Sequence, residues 1–277
     1  MTSIDWNSFK IWLNNHLAKT YASDTLRYCL KYVDLLINNE PHRILMLSKD
    51  KQRLVMSSLS NLSKFLGIYS QWKESMRNVG LKWSKADTFD SFMRIFNNNH
   101  NDLIDWFKNA YYTLNENEQL YLKFMLLSGL RKNEGILAFN LIIKLYNDNK
   151  LSEYYNEELS ILEHFKYPKL FLRNTKNAYI TIIPKNLISQ IAKCEPVSYS
   201  TIRKHLESKG IKLRVKDLRS YYATYLRKHG IISELVDLLQ GRVNKSVFVR
   251  HYLKESPKEL SEQALPILEK LEATVNI

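Results

Sequence analysis

The chain has 277 residues, 45% of them hydrophobic, and 41 Lys and Arg against 28 Asp and Glu give a formal net charge of +13. That length suits one large domain or two modest ones with separate cores. No apolar stretch comes near the length that crosses a bilayer, and Met1-Thr2-Ser3-Ile4-Asp5 lacks the basic end and apolar core of a secretory signal, so an intracellular protein with no membrane partner is expected. Cys29 and Cys194 stand far apart without CxxC partners, which excludes a disulfide framework or a zinc site of cysteines. The histidines never fall in HxxxH or HExxH spacing. No GxxxxGK[ST] loop occurs either, so neither a metal nor a nucleotide cofactor is expected.

Gly and Pro are scarce, 7 and 6 in the whole chain, and helical spacing dominates. Ile4, Phe9, Trp12, Leu13 and Leu17 make a first apolar stripe. Ser23 or Asp24 can cap a second helix through Leu26, Cys29, Leu30, Val33, Leu36 and Ile37, ended by Pro41. Further helices fit residues 49–66 and 70–79, with Gly67 and Gly80 as breaks. The aromatic residues Trp6, Trp12, Trp72 and Trp83 read as core. Residues 1–84 thus predict a small helical bundle, and the segment 84–89, Ser-Lys-Ala-Asp-Thr-Phe, is the candidate linker to a second domain over 90–277.

In that second domain helical patterns occupy residues 89–96, 101–112 and 116–127. The rhythm breaks at Lys169-Leu-Phe-Leu-Arg, Asn174-Thr-Lys-Asn and Ala178-Tyr-Ile-Thr-Ile-Ile. Arms rich in aromatic and branched residues around a turn composition read as a β-hairpin, closed by Pro184. Helical patterns return at 186–193, 200–208, 216–228, 233–239, 246–253 and 257–271. The fold class is mainly α, with one small sheet.

Charge is distributed unevenly. Residues 1–85 carry 13 basic and 6 acidic side chains, and residues 170–254 carry 17 basic and 5 acidic. Two separated basic regions suit a protein that grips a polyanion from two sides.

Four local patterns stand out, and their order says more than any one of them. Ser128-Gly-Leu-Arg131-Lys-Asn-Glu134 follows an apolar helix. Lys176 sits at the tip of the expected hairpin. Lys216-Asp-Leu-Arg219 opens a helix that continues through Tyr221, Tyr222 and Tyr225, which read as packing residues. Leu238-Leu-Gln-Gly-Arg242 is followed ten residues later by Tyr252. Taken singly, each has an ordinary reading as a solvated charge or a packed ring.

In this order the chain resembles the tyrosine recombinases, the phage-type integrases. That family carries an Arg in a Gly-Leu-Arg-x-x-Glu context, a hairpin lysine, a His-x-x-Arg box, a Leu-Gly-His or Leu-Gly-Trp element and then the tyrosine. The motifs cover residues from about 120 to 255, and the preceding bundle matches the family's core-binding domain in general character. Lys216 stands where most members have His, and Arg242 where most have His or Trp. A Lys-x-x-Arg box is closest in character to integrases of archaeal mobile elements such as spindle-shaped viruses.

The resemblance implies Tyr252 as nucleophile, Arg131 and Arg219 as the phosphate clamp, and Lys176 as general acid. It makes Lys216 and Arg242 hydrogen-bond donors to the phosphate or carriers of the tyrosine's proton, and Glu134 a brace for an arginine. These residue types suit the chemistry. An arginine fork donates paired hydrogen bonds to non-bridging oxygens and keeps its proton, and a lysine can protonate a leaving alkoxide. A C-shaped clamp on double-stranded DNA attachment sites is implied, with a homotetramer on DNA and a monomer or weak oligomer without it. So is integration or excision of a viral or plasmid genome in the host cytoplasm, at the nucleoid. A type IB topoisomerase, or a recombinase-like DNA-binding regulator without catalysis, are the alternatives.

Overall fold

The computed structural model describes residues 4–83, 88–89, 92–93, 102–173, 176–243 and 254–275. The chain divides into two units, Met1–Asn98 and Asn99–Ile277, each with a hydrophobic core of its own. The described residues are mainly helical, with one small antiparallel sheet. Among them no helix is long and apolar enough to cross a membrane.

The first unit holds helices Trp6–His16, Lys19–Ile37, Lys49–Phe65 and Tyr69–Asn78, with a 3-10 turn Pro41–Met46 after the second. Asp5 caps the first helix, its carboxylate accepting from the backbone N–H groups of Asn7 and Ser8. Apolar side chains at helical spacing, Phe9 with Leu13, Val55 with Leu59 and Leu62, and Trp72 with Met76, close over one core. Two expectations need correction. Ser23 and Asp24 do not cap the second helix, which starts at Lys19 and runs through them. Asp24 pairs instead with Arg27 one turn on, an exposed i,i+3 pair. Trp83 is 53% exposed and so lies outside the core, beyond the last helical turn that could carry it inward. Trp6 and Trp12 pack at the rim, against Phe9.

In the second unit the helices are Leu103–Thr113, Glu116–Ser128, Lys132–Asn147, Pro168–Phe171, Lys185–Ile191, Tyr199–Ser208, Val215–Lys228, Ser233–Leu239 and Pro257–Val275. The helix Glu116–Ser128 is central and almost wholly buried, with Tyr121, Leu122, Phe124, Met125, Leu126 and Leu127 inside. An Asn115–Glu118 capping box starts it: the Asn115 side chain accepts from the Glu118 N–H, and the Glu118 carboxylate accepts from the Asn115 N–H. The C-terminal helix buries Leu260, Ala264, Leu268, Leu271 and Val275 in this same core, and its Glu272 pairs with Lys123 at 2.6 Å. Its apolar face is therefore satisfied within the chain.

The sheet differs from the expected hairpin. Its strands are Tyr155–Asn156, Ile161–Leu162 and Thr181–Ile182, in that spatial order, with Ile161 opposite Ile182. The second expected arm supplies a strand, but the first does not. Pro168 begins a helical turn, Pro168–Phe171, because its fixed φ suits a first helical position and it has no N–H to lose. That turn drives Phe171 into the core beside His164 and Tyr154. His164 is wholly buried between the Tyr154 hydroxyl, 2.7 Å from Nδ1, and the Thr181 hydroxyl, 2.8 Å from Nε2. Burial lowers its pKa to about 3 and keeps the ring neutral.

Candidate active site

The site grows from the end of the helix Glu116–Ser128. Gly129 terminates that helix in the left-handed region, at φ 59°. A Cβ there would also stand 2.3 Å from the ring of Tyr222, so glycine is required twice over. Leu130 is buried, and Arg131 takes the N-cap position of the next helix, Lys132–Asn147. Glu134, in the first turn, accepts from the Arg131 backbone N–H at 3.1 Å, satisfying a donor that the helix itself leaves open. Its other oxygen accepts from Arg131 Nη1 at 2.8 Å. With only 1% exposure, this carboxylate fixes the Arg131 side chain from behind.

The helix Val215–Lys228 delivers the second guanidinium. Lys216 and Arg219 are three residues apart and share a face. Arg219 is 9% exposed and donates from Nη1 to the Gly129 carbonyl and from Nη2 to the Gln240 carbonyl, the latter at 2.8 Å. Gln240 returns a bond from Nε2 to the Arg219 carbonyl at 2.9 Å. Burial, and after it the neighbouring Arg131 guanidinium, lower the Arg219 pKa to about 10; Glu134 opposes this and Arg242 adds to it. The group stays cationic at neutral pH. Its charge is thus held near two other cations, Arg131 and Arg242, and one buried carboxylate, Glu134.

Arg131, Lys216 and Arg219 line one cleft of about 460 Å³ with Lys132, Tyr199, Lys212 and Arg214. Lys132 lies over the Tyr199 ring, 4.7 Å from its centroid. Lys216 is exposed and forms no ion pair among the described residues. Arg242 is exposed and meets Asp237 at 3.3 Å.

Lys176 lies in a connection tied to the rest of the site by backbone contacts. Arg131 Nη1 donates to the Asn177 carbonyl at 3.1 Å. Gly241 packs so tightly on the same peptide that a Cβ at 241 would fall 1.7 Å from the Asn177 oxygen. The Ala178 N–H closes the loop onto the Phe171 carbonyl at 3.1 Å. The Lys176 side chain itself is exposed. Arg131, Glu134, Lys176, Arg219 and Arg242 thus come from four separate stretches to one region, and Lys216 lines the cleft beside them.

Tyr252, with the expected helix 246–253, lies outside the described residues. Tyr222, by contrast, is fully buried, and burial raises its pKa, so it packs the site from beneath.

Sequence reading assigned no part to Arg173, Asn177 or Gln240. Arg173 Nη2 meets Glu134 at 2.8 Å, a contact 39 residues distant that no local pattern announces. Gln240 and Gly241 were visible within the Leu-Leu-Gln-Gly-Arg element, although only the fold shows that they touch Arg219 and Asn177. Among the described residues no group of three or more His, Cys, Asp or Glu side chains is arranged to hold a metal ion.

In this mainly helical unit the cleft gathers three guanidinium groups, Arg131, Arg214 and Arg219, of which Arg214 is paired with Asp102 and Asp217. Residues 97–259, more than half of the chain, match the archaeal phage integrase family, and the chain belongs to that family. It is also similar to the Holliday junction branch migration complex subunit RuvA of Mycoplasma mycoides subsp. mycoides SC, at 25% identity over 163 residues, which cover 55% of this chain and 80% of the relative.

Proposed function

We propose that this integrase is a site-specific tyrosine recombinase that cuts and rejoins duplex DNA through a 3′-phosphotyrosine, with Tyr252 as nucleophile. The observation that carries the reading is the convergence of Arg131 and Arg219, from separate helices, on one cleft beside the tethered Lys176 turn. Family membership supports action on DNA.

In this reading Arg131 and Arg219 hold the non-bridging oxygens of the scissile phosphate, where negative charge accumulates as the phosphorus becomes five-coordinate. The Tyr252 oxygen forms a bond to phosphorus and gives up its proton, while the bond to the 5′ oxygen breaks. Lys176 supplies the proton that the departing 5′ oxygen requires. Lys216 and Arg242 donate to the phosphate or carry the tyrosine's proton, and Glu134 holds Arg131 in line. The reverse step, with the 5′ hydroxyl of another strand as nucleophile, reseals the backbone. One phosphoester bond is exchanged for another at each step, so the reaction needs no nucleotide to drive it.

The basic surplus in residues 1–85 supports a DNA-gripping, core-binding role for the first unit. Four protomers on two attachment sites would exchange one pair of strands and then the other, integrating or excising a viral or plasmid genome.

The test uses duplexes selected from a random-sequence pool by their binding to the protein, then nicked so that a cleaved end diffuses away. Mass spectrometry should find DNA attached at Tyr252, and Tyr252→Phe should bind the duplex and form no adduct. A Tyr252→Phe protein that still became covalently attached would reject the nucleophile. Adducts without strand exchange between two sites would point to topoisomerase chemistry instead.

A further inference from the structure

The Glu134 carboxylate receives two guanidinium groups on one oxygen: Arg131 Nη1 and Arg173 Nη2 both lie 2.8 Å from Oε1. Neutralising the carboxylate requires only one of them, and Arg131 already does so. The rest of Arg173 points elsewhere. Its Nε donates to the Lys176 carbonyl at 3.2 Å, and its backbone N–H is held by the Asn177 side chain at 2.7 Å. Two neighbouring donors of one planar, rigid group are therefore engaged, Nη2 on the carboxylate that orients Arg131 and Nε on the backbone of Lys176. A guanidinium suits that task because its donors are fixed relative to one another, so the two contacts set a distance and an angle together.

We propose that Arg173 is a positioning residue that registers the Lys176 turn against Arg131, holding the proton donor in line with the phosphate clamp. This rests on the reading of Lys176 as general acid given above. Arg173 touches no reacting atom; its effect passes through the backbone to which Lys176 is attached. Losing it leaves Arg131 paired with Glu134, and the phosphate clamp in place. What is lost is the alignment of the ammonium with the 5′ oxygen, a displacement of the kind to which proton transfer is most sensitive.

The experiment compares two forms of the selected duplex, one with the ordinary 5′ oxygen at the scissile phosphate and one with sulfur in that bridging position. A thiolate is far less basic than an alkoxide and leaves without a proton. Single-turnover adduct formation by Arg173→Ala should fall roughly 10²-fold on the oxygen duplex and return to within a few-fold of wild type on the sulfur duplex. Lys176→Ala should behave in the same way, whereas Arg131→Ala should stay slow on both. Arg173→Lys keeps an ammonium for Glu134 but has no second donor branch, so it should fold and show the same selective rescue. Equal losses on both duplexes for Arg173→Ala and Arg173→Lys, or no loss on either, overturn the role of Arg173 alone. A wild-type protein that forms no tyrosine adduct on either duplex overturns the parent reading, and this proposal with it.

Discussion

Gly241 and Asn177 meet backbone to backbone, so closely that even a methyl group between them would overlap the Asn177 carbonyl oxygen. Gly241 also has φ 68°, where a side chain is strained regardless of space. The contact joins the Gln-Gly-Arg element to the turn that carries Lys176. Gly241→Ala must therefore push that turn outward. It should reduce adduct formation by about 10²-fold or more, with DNA binding reduced far less. Gly230→Ala is the control: its φ is 103°, but a Cβ there meets open space. That variant should cost about 1–3 kcal/mol from strain alone and keep its activity per folded molecule. Comparable activity losses in the two variants, measured by adduct assays on samples matched by thermal melting, would contradict the contact's role.

Glu134 is the most demanding of the site's buried groups. Its carboxylate meets three donors, one backbone N–H and two guanidinium groups. Glu134→Ala should lower stability by roughly 1–3 kcal/mol, the range for losing hydrogen bonds to charged groups, because the Arg131 and Arg173 guanidinium groups it leaves behind reach solvent. Glu134→Gln keeps the shape and one acceptor, and should fall between. Urea titrations of the isolated variants measure both, and a neutral Glu134→Ala would contradict the buried network.

His164 gives the protein a pH dependence with a definite sign. In the unfolded chain it takes up a proton near its ordinary value of 6.5, whereas in the folded protein burial delays this to about 3. The unfolded state therefore binds more protons between those values, and stability contributed by the neutral ring is present above 6.5 and lost as pH falls toward 3. The loss is on the order of a few kcal/mol for one fully buried histidine. Urea midpoints measured at pH 7.5 and 4.5 should fall more steeply for wild type than for His164→Gln, whose side chain does not titrate. Parallel slopes would remove His164 as the cause.

Salt should act on binding more than on folding. In the function proposed above, the basic cleft and the cationic first unit would neutralise phosphates, so the logarithm of the DNA affinity should fall linearly with the logarithm of salt concentration. Lys216→Ala, which removes an exposed cation with no ion pair among the described residues, should reduce that slope by about 1 and leave the melting temperature unchanged. A slope equal to wild type, measured by fluorescence anisotropy, would place Lys216 away from the DNA.

Much of this molecule could be read before folding was considered, for identifiable reasons. Ser233–Leu239 matches its expected limits, and Tyr69–Asn78 lies within a residue of them, because apolar spacing and a terminal glycine act locally. The pair Lys216 and Arg219 was legible because three residues make one helical turn. The sheet was not, since strands of two residues are too short to show alternation, and Pro168 turned an apparent strand into a helical turn. The helix Lys132–Asn147 is not among the expected elements: its first turn belongs to the Gly-Leu-Arg-x-x-Glu element, and its apolar run follows behind it. Contacts such as Arg173 with Glu134 and Gly241 with Asn177 join residues tens of positions apart, and no spacing rule reaches them.

The C-terminal helix has a consequence for how an assembly could form. Because Leu260, Leu268 and Leu271 are already sealed inside their own subunit, lending this segment to a neighbour would expose a greasy face in the donor until another copy refilled it. A handover that left no such face bare would have to be reciprocal or cyclic. In the tetramer proposed above, ring closure and subunit integrity would then be one event, coupling readiness for strand transfer to the completeness of the complex.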